Sequence, residues 1–132
     1  MNDQAPNDQQ RPNDQEPKKT FDLAERTAVF GERVIEMLKA VPINRITGPI
    51  VSQLVRSATS IGANYCEADE ALTHREFRHR IGISKREAKE SCFHMRMIVA
   101  ASPACRDEAR VLWQECKELV RIFAAIASRK RS

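Results

Sequence analysis

Basic side chains are the groups in this sequence whose type and spacing point to chemistry, and that chemistry is the binding of phosphate. They recur through residues 75–96 and 106–121 at intervals that keep them on one side of a helix turning about 100° per residue. Positive charge collected on one side of a helix attracts a phosphate backbone electrostatically. This attraction weakens as the salt concentration rises and does not depend on the base sequence. The candidate nucleic-acid-binding residues are Arg75, Arg78, Lys85, Arg86, Lys89 and Arg96 in the first segment, and Arg106, Arg110, Lys117 and Arg121 in the second.

Carboxylates in the first segment fall on a different arc of the helix, at Glu76, Glu87 and Glu90. The chain also ends in three consecutive cations, residues 129–131. An alternative interpretation is that each basic arc is a solvated face whose cations are neutralised by neighbouring carboxylates. The sequence leaves both interpretations open, and repetition of the arcs around an oligomer would favour binding.

A second polar line lies beside the apolar stripe of residues 54–72 and recurs every three or four residues. Its hydroxyl, amide and charged groups are typical of side chains that hydrogen-bond across a helix contact, since buried polar groups need partners. Small residues nearby, Ser57, Gly62 and Ala63, let a neighbour come close. With three apolar residues outside the predicted core, the candidate subunit-packing residues are Arg56, Ser60, Asn64, Glu67, Phe93, Met97 and Trp113.

Four amphipathic helices are predicted to position these side chains. We expect Thr20 to cap the first helix, Gly48-Pro49 to open the second, and Thr73 with Glu76 to form a capping box for the third. Ser102-Pro103 marks the last boundary. Short loops make sequential helices antiparallel, so the predicted fold is an all-α, up-down-up-down four-helix bundle over residues 20–129.

The N-terminal residues 1–19 are predicted to form a disordered tail, and residues 130–132 are predicted to form a basic tail. Asn-Asp-Gln occurs three times between prolines, with no hydrophobic residue able to seed a core. Because the whole chain carries +4 and residues 1–17 carry −3, residues 18–132 carry +7. The predicted bundle is therefore distinctly basic.

Composition predicts a small cytoplasmic protein of one domain, without a membrane partner. No apolar run reaches the length of a membrane span, and the N-terminus has no hydrophobic signal region. Cys66, Cys92, Cys105 and Cys116 are scattered without a Cys-x-x-Cys pair. We expect reduced thiols on core faces rather than a disulfide framework or a zinc site.

Two consecutive runs, RSATSIGANYCEADEA and THREFRHRIGISKREAKES, resemble the bacterial four-helix bundle family of 23S rRNA intervening-sequence proteins, the S23 family. The resemblance extends from about Phe21 to Ile126. Ala63 stands where the family often has proline, and Tyr65 where a branched aliphatic residue is usual. The positions that match the family signature are Arg56, Ser60, Ile61, Asn64 and Glu67.

This family includes the accessory variability determinant of diversity-generating retroelements, and the resemblance carries further expectations. It implies a homopentamer, assembled as a tapered barrel with a central channel. It also implies binding of RNA or an RNA/DNA hybrid, and docking of a reverse transcriptase during mutagenic copying of a template RNA.

Catalysis is not expected, and neither is a metal or another cofactor. Bundles that bind two iron atoms use two Glu-x-x-His pairs with further carboxylates, whereas only Glu76 and His79 have that spacing here. A glycine-rich phosphate loop and a recognisable nucleophile set are also missing. Two alternatives stay open beside nucleic-acid binding: an interaction module for an acidic protein, and an rRNA-insertion-encoded protein of unknown role.

Overall fold

The computed structural model describes residues 22–129, and within that range it contains four α-helices. They are α1 Leu23–Lys39, α2 Thr47–Asp69, α3 His74–Ala101 and α4 Arg106–Ser128, with a single 3₁₀ turn at Pro103–Cys105 before α4. The predicted all-α four-helix architecture is confirmed. The two predicted tails, residues 1–19 and 130–132, lie outside the described residues, as does Thr20.

Helix starts follow local hydrogen-bonding groups, with one correction. Asp22, not Thr20, caps α1, because its carboxylate accepts the backbone N–H of Glu25 at 3.1 Å in the first helical turn. For α3 the Thr73 cap is confirmed, because the Thr73 hydroxyl accepts the N–H of Glu76 at 3.0 Å. The return bond of a capping box, from the Thr73 N–H to the Glu76 carboxylate, is not formed between these two described residues. The second helix begins at Thr47, one residue before Gly48, so Pro49 falls in its first turn as expected.

Contacts between the helices show that each neighbouring pair runs antiparallel. Between α1 and α4, Arg26 meets Glu115 while Arg33 meets Glu108, so one helix ascends as the other descends. The same reversal relates α2 to α3, where Ser57 contacts Ser91 and Asn64 contacts Arg80. Helices α1 and α4 also pack on each other, which closes the bundle. No helix within residues 22–129 has both the length and the apolarity needed to cross a bilayer.

The core is formed by the apolar stripes of all four helices. Its largest fully buried side chains include Phe30 and Val34 of α1, Leu54 and Ile61 of α2, Ile81, Met95 and Ile98 of α3, and Leu112, Leu119 and Phe123 of α4. Their burial supplies the main driving force for folding. The aromatic ring of Phe123 also packs against that of Tyr65, at a centroid distance of 6.1 Å.

Small hydroxyl groups occupy the buried contact between α2 and α3. Ser91 donates a hydrogen bond to the Ser57 hydroxyl at 2.9 Å, and Ser84 donates to the carbonyl of Ile61 at 2.9 Å. Because these groups satisfy one another, they are buried without the penalty of an unpaired polar atom. Apolar periodicity pointed to Ser84 as a core residue but did not predict that Ser91 and Glu87 are buried too.

The cysteines do not all lie on core faces. Cys116 is buried and its thiol donates to the carbonyl of Ala88 at 3.0 Å, whereas Cys66 is exposed. Contact with the Cys92 thiol and burial both raise the pKa of Cys116 well above its ordinary value. The expectation of buried thiols is therefore right for Cys116 and wrong for Cys66, which lies on the outer side of α2.

Two helical glycines have opposite surroundings, which gives a test of the packing. A Cβ on Gly62 would lie 2.8 Å from the Thr27 hydroxyl and 3.2 Å from the Thr27 Cβ, whereas a Cβ on Gly82 would meet nothing within 4 Å. Thr27 is only 2% exposed and its hydroxyl is bonded to the Leu23 carbonyl at 2.8 Å, so it has little room to retreat. Gly62 thus permits the close approach of α1 and α2.

Alanine at Gly82 is expected to stabilise the fold, and alanine at Gly62 is not. Both substitutions gain about 1 kcal/mol of helix propensity, so their difference isolates the steric cost. We expect the free energy of unfolding of Gly62→Ala to lie about 1 to 3 kcal/mol below that of Gly82→Ala. Urea denaturation followed by circular dichroism measures this difference, and equal stabilities would contradict the close α1–α2 contact.

Candidate nucleic-acid interface

The basic arc of α3 lies on its outer side, away from the core. Five of its six predicted cations are exposed and Lys85 is half-buried; the exposed ones are Arg75, Arg78, Arg86, Lys89 and Arg96. Three uncharged residues, Gly82, Phe93 and Ala100, fall within the same arc. The side of α3 that faces solvent is therefore dominated by positive charge.

The basic arc of α4 is exposed at Arg106, Arg110 and Arg121, while Lys117 is half-buried. The Lys117 ammonium lies over the Trp113 ring, 4.7 Å from its centroid, in a cation–π contact. Trp113 is itself half-buried. One face of this indole is thus occupied by a cation of its own helix.

Two carboxylates of α3 form ion pairs with α2 across the contact between the two helices. On α3, Glu87 and Glu90 both bind the guanidinium of Arg56 on α2, at 3.4 and 3.0 Å. Glu87 is only 8% exposed, so this pair has a buried end. Glu87 and Glu90 therefore neutralise Arg56 of α2 rather than the basic arc of their own helix.

Helix α4 shows the same division of charge. Glu115 forms a bidentate pair with Arg26 of α1, at 2.7 and 3.0 Å, and this hydrogen bonding raises the pKa of Arg26. Glu108 pairs with Arg33 at 3.1 Å. The acidic side of α4 thus faces α1, and the basic side is left toward α3.

Nine of the ten predicted cations consequently form no ion pair with another residue in the range 22–129. The exception is Arg121, which pairs with Glu118 at 3.0 Å on the exposed surface of α4. Neutralisation by neighbouring carboxylates was the alternative interpretation of these arcs. Within the described part of the chain, direct neutralisation by an ion pair occurs at Arg121, and a solvated face stays open as the alternative to binding.

Two open grooves collect cations on the flanks of α3. The α2–α3 groove has a volume of about 820 Å³ and is lined by Gln53, Arg56, Gly82, Lys85, Arg86, Lys89, Glu90, Phe93 and His94. The α3–α4 groove, of about 470 Å³, brings Arg96 of α3 together with Arg106, Arg110 and Trp113 of α4. Neither groove is lined by Arg75, Arg78, Lys117 or Arg121.

The polar line of α2 makes its hydrogen bonds within the chain. Asn64 accepts from Arg80 of α3 at 2.9 Å, and Ser60 donates to the Arg56 carbonyl of its own helix at 2.7 Å. Glu67 is exposed. The helix contact predicted for Arg56 and Asn64 is therefore the α2–α3 contact, and the assignment of these residues to subunit packing stays a prediction.

The three apolar residues assigned to subunit packing differ in exposure. Phe93 is 57% exposed, whereas Met97 and Trp113 are half-buried. Val111 on α4, with 48% of its surface exposed, and Val29 on α1, with 38%, were not among the predicted contact residues. These two valines line a groove of about 560 Å³ between α1 and α4.

Comparison with known families decides which family the chain represents. Residues 19–125 match the family described as 23S rRNA-intervening sequence protein. The chain belongs to this family. The match covers the whole described bundle except the last residues of α4, in agreement with the resemblance carried by residues 56–71 and 73–91.

A solved structure shares the fold. It is a crystal structure of a protein of unknown function from the S23 ribosomal protein family of Bacteroides thetaiotaomicron VPI-5482. It is 20% identical in sequence to this chain, covers 80% of this chain and 98% of its own, and has a TM-score of 0.70. No curated protein matches this chain.

The absence of catalysis and of a bound cofactor stays a prediction from the sequence. Among residues 22–129, no three side chains of the types His, Cys, Asp and Glu come together as a metal site would require. Glu76 and His79 are both exposed at the start of α3. That the protein is non-catalytic and needs no cofactor are predictions that metal analysis and activity assays would test.

Proposed function

We propose that this protein is a non-catalytic oligomer that binds nucleic acid, RNA or an RNA/DNA hybrid, on the basic faces of α3 and α4. The observation that carries the proposal is the set of nine cations without ion pairs among the described residues. Cations on a folded surface release counterions when they meet phosphates, which favours binding. The fold supports this by directing Glu87, Glu90, Glu108 and Glu115 to arginines outside the arcs.

Oligomer formation is part of the proposal and is supported by exposed apolar side chains. Val29, Ile35 and Val111 are between 38% and 48% exposed. Several large apolar groups on the surface of a small bundle favour cover by another subunit. A homopentamer, as the family resemblance implies, would present five copies of each basic face and multiply the contacts with one nucleic acid.

Docking of a reverse transcriptase extends the proposal toward a biological role. It rests on the resemblance of residues 56–67 to the accessory variability determinant of diversity-generating retroelements. In that role the protein would hold a template RNA or its hybrid near the polymerase during mutagenic copying. Copurification with a reverse transcriptase encoded by a neighbouring gene would support this role.

The proposal is tested by salt titration of the full chain with fluorescently labelled RNA. Single-stranded and duplex RNAs of about 20 nucleotides are the probes, and the affinity is followed by fluorescence polarisation. We expect the logarithm of the binding constant to fall linearly with that of the salt concentration, with a slope of about −4 or steeper. Absence of RNA binding at about 50 mM salt, with tight binding of an acidic protein instead, would favour the interaction module.

A further inference from the structure

Phe93 is an exposed aromatic ring in the middle of a basic surface. The residue is 57% exposed and lines the α2–α3 groove. Its ring contacts His94 edge-on, with centroids 5.7 Å apart, and this is the only ring contact that Phe93 makes within the described residues. A large apolar group left in water is unfavourable by itself, which suggests that its face is used by a ligand.

Cations flank Phe93 along the helix on both sides. Lys89 precedes it by about one turn, Arg86 by about two, and Arg96 follows within one turn. Along the helix axis Lys89 lies about 4.5 Å beyond Arg86, and Arg96 lies about 10.5 Å beyond Lys89, with Phe93 between these two. Cations on both sides of the ring can therefore contact phosphates of one strand while a base reaches the ring.

Gly82 widens the same groove at its other end. A Cβ at this position would have nothing within 4 Å, so Gly82 serves no close packing inside the chain. It lies in the basic arc near Lys85 and Arg86, where a missing side chain leaves the helix backbone open to a ligand. A strand backbone can therefore approach α3 closely at Gly82.

We infer that the α2–α3 groove takes an unpaired, single-stranded segment of nucleic acid and that Phe93 stacks on one of its bases; this inference rests on the proposed function. In a duplex the faces of the bases are covered by their neighbours, so an aromatic side chain stacks on unpaired bases. Trp113 is less suited to this role because Lys117 lies 4.7 Å from its ring centroid. Phe93, with 57% of its surface exposed, is also more accessible than the half-buried Trp113.

Three labelled probes of equal length test the inference: an oligouridine strand, the same strand with abasic sites, and an RNA duplex. Light scattering checks the mass of every variant. Phe93→Leu keeps apolar bulk but removes the aromatic face, and Phe93→Trp keeps the face. Ile46→Leu, at a 68% exposed apolar position directly before α2 and outside the groove, is the control. We expect Phe93→Leu to weaken oligouridine binding about 5-fold to 100-fold. Binding of the abasic strand and of the duplex should weaken less than about twofold.

Phe93→Trp is expected to retain the affinity for oligouridine, and Ile46→Leu is expected to leave all three affinities unchanged. Equal losses for the abasic and base-containing strands, or unchanged oligouridine binding, would overturn base stacking. A change in mass on Phe93→Leu would show that Phe93 lies between subunits, and would overturn it too. If the wild-type chain binds none of the three probes, the proposed function is contradicted, and so is the inference that rests on it.

Discussion

Replacing Arg78, Lys85 and Lys89 of α3 together with glutamine is expected to weaken single-stranded RNA binding about a hundredfold at roughly 50 mM salt. None of these side chains has an ion-pair partner among residues 22–129, so their substitution leaves no carboxylate stranded in the described fold. Each lost phosphate contact lowers the salt slope by about 0.7 for a single strand, or about 2 for three contacts. Fluorescence polarisation over a range of salt concentrations measures both changes.

A matched variant removes the same charge away from the basic arcs. Glutamine at Arg33, Lys39 and Arg45 also lowers the net charge by three, but these residues lie on α1 and in the loop after it. Arg33 and Lys39 already pair with Glu108 and Glu36, at 3.1 and 3.0 Å. If both triple variants lose affinity equally, overall charge rather than the face of α3 attracts the RNA.

Replacing Arg56 with methionine is expected to lower the free energy of unfolding by about 2 kcal/mol. The Arg56 guanidinium lies 3.4 Å from Glu87, whose side chain is 11% exposed, and 3.0 Å from Glu90. Its removal leaves the Glu87 carboxylate buried without its cation. Breaking a fully buried pair costs about 3 to 5 kcal/mol, and the half-exposed position of Arg56 reduces that cost. Urea denaturation measures the loss.

Two further variants separate this ion pair from general effects of the substitution. Arg121→Met breaks the exposed pair with Glu118, and is expected to cost less than about 1 kcal/mol. Adding Glu87→Gln to Arg56→Met should recover part of the stability, because a neutral amide is less costly to bury than an unpaired carboxylate. Equal losses for Arg56→Met and Arg121→Met would show that Glu87 does not depend on Arg56.

Several features of the fold follow from local sequence. Helical periodicity places the four helices, Thr73 fixes the start of α3, and short loops make successive helices antiparallel. Capping of α1 was assigned to Thr20 although Asp22 does it, because two residues of similar capping ability stand close together. Small differences in capping ability between neighbouring residues decide where a helix begins. The pattern of apolar residues does not resolve these differences.

The basic arcs of α3 and α4 were predictable from the sequence, because the residues of one arc lie on one helix and helical geometry fixes their relative directions. The pairing of carboxylates with cations was not predictable in this way, because it is set by contacts between helices. Arg26 and Glu115 are 89 residues apart, and Arg56 and Glu87 are 31 apart, so their pairing depends on how the helices pack. Packing also distinguished Gly62, which is pressed against Thr27, from Gly82, which is open. A contact between helices depends on two surfaces at once, whereas periodicity describes one surface at a time.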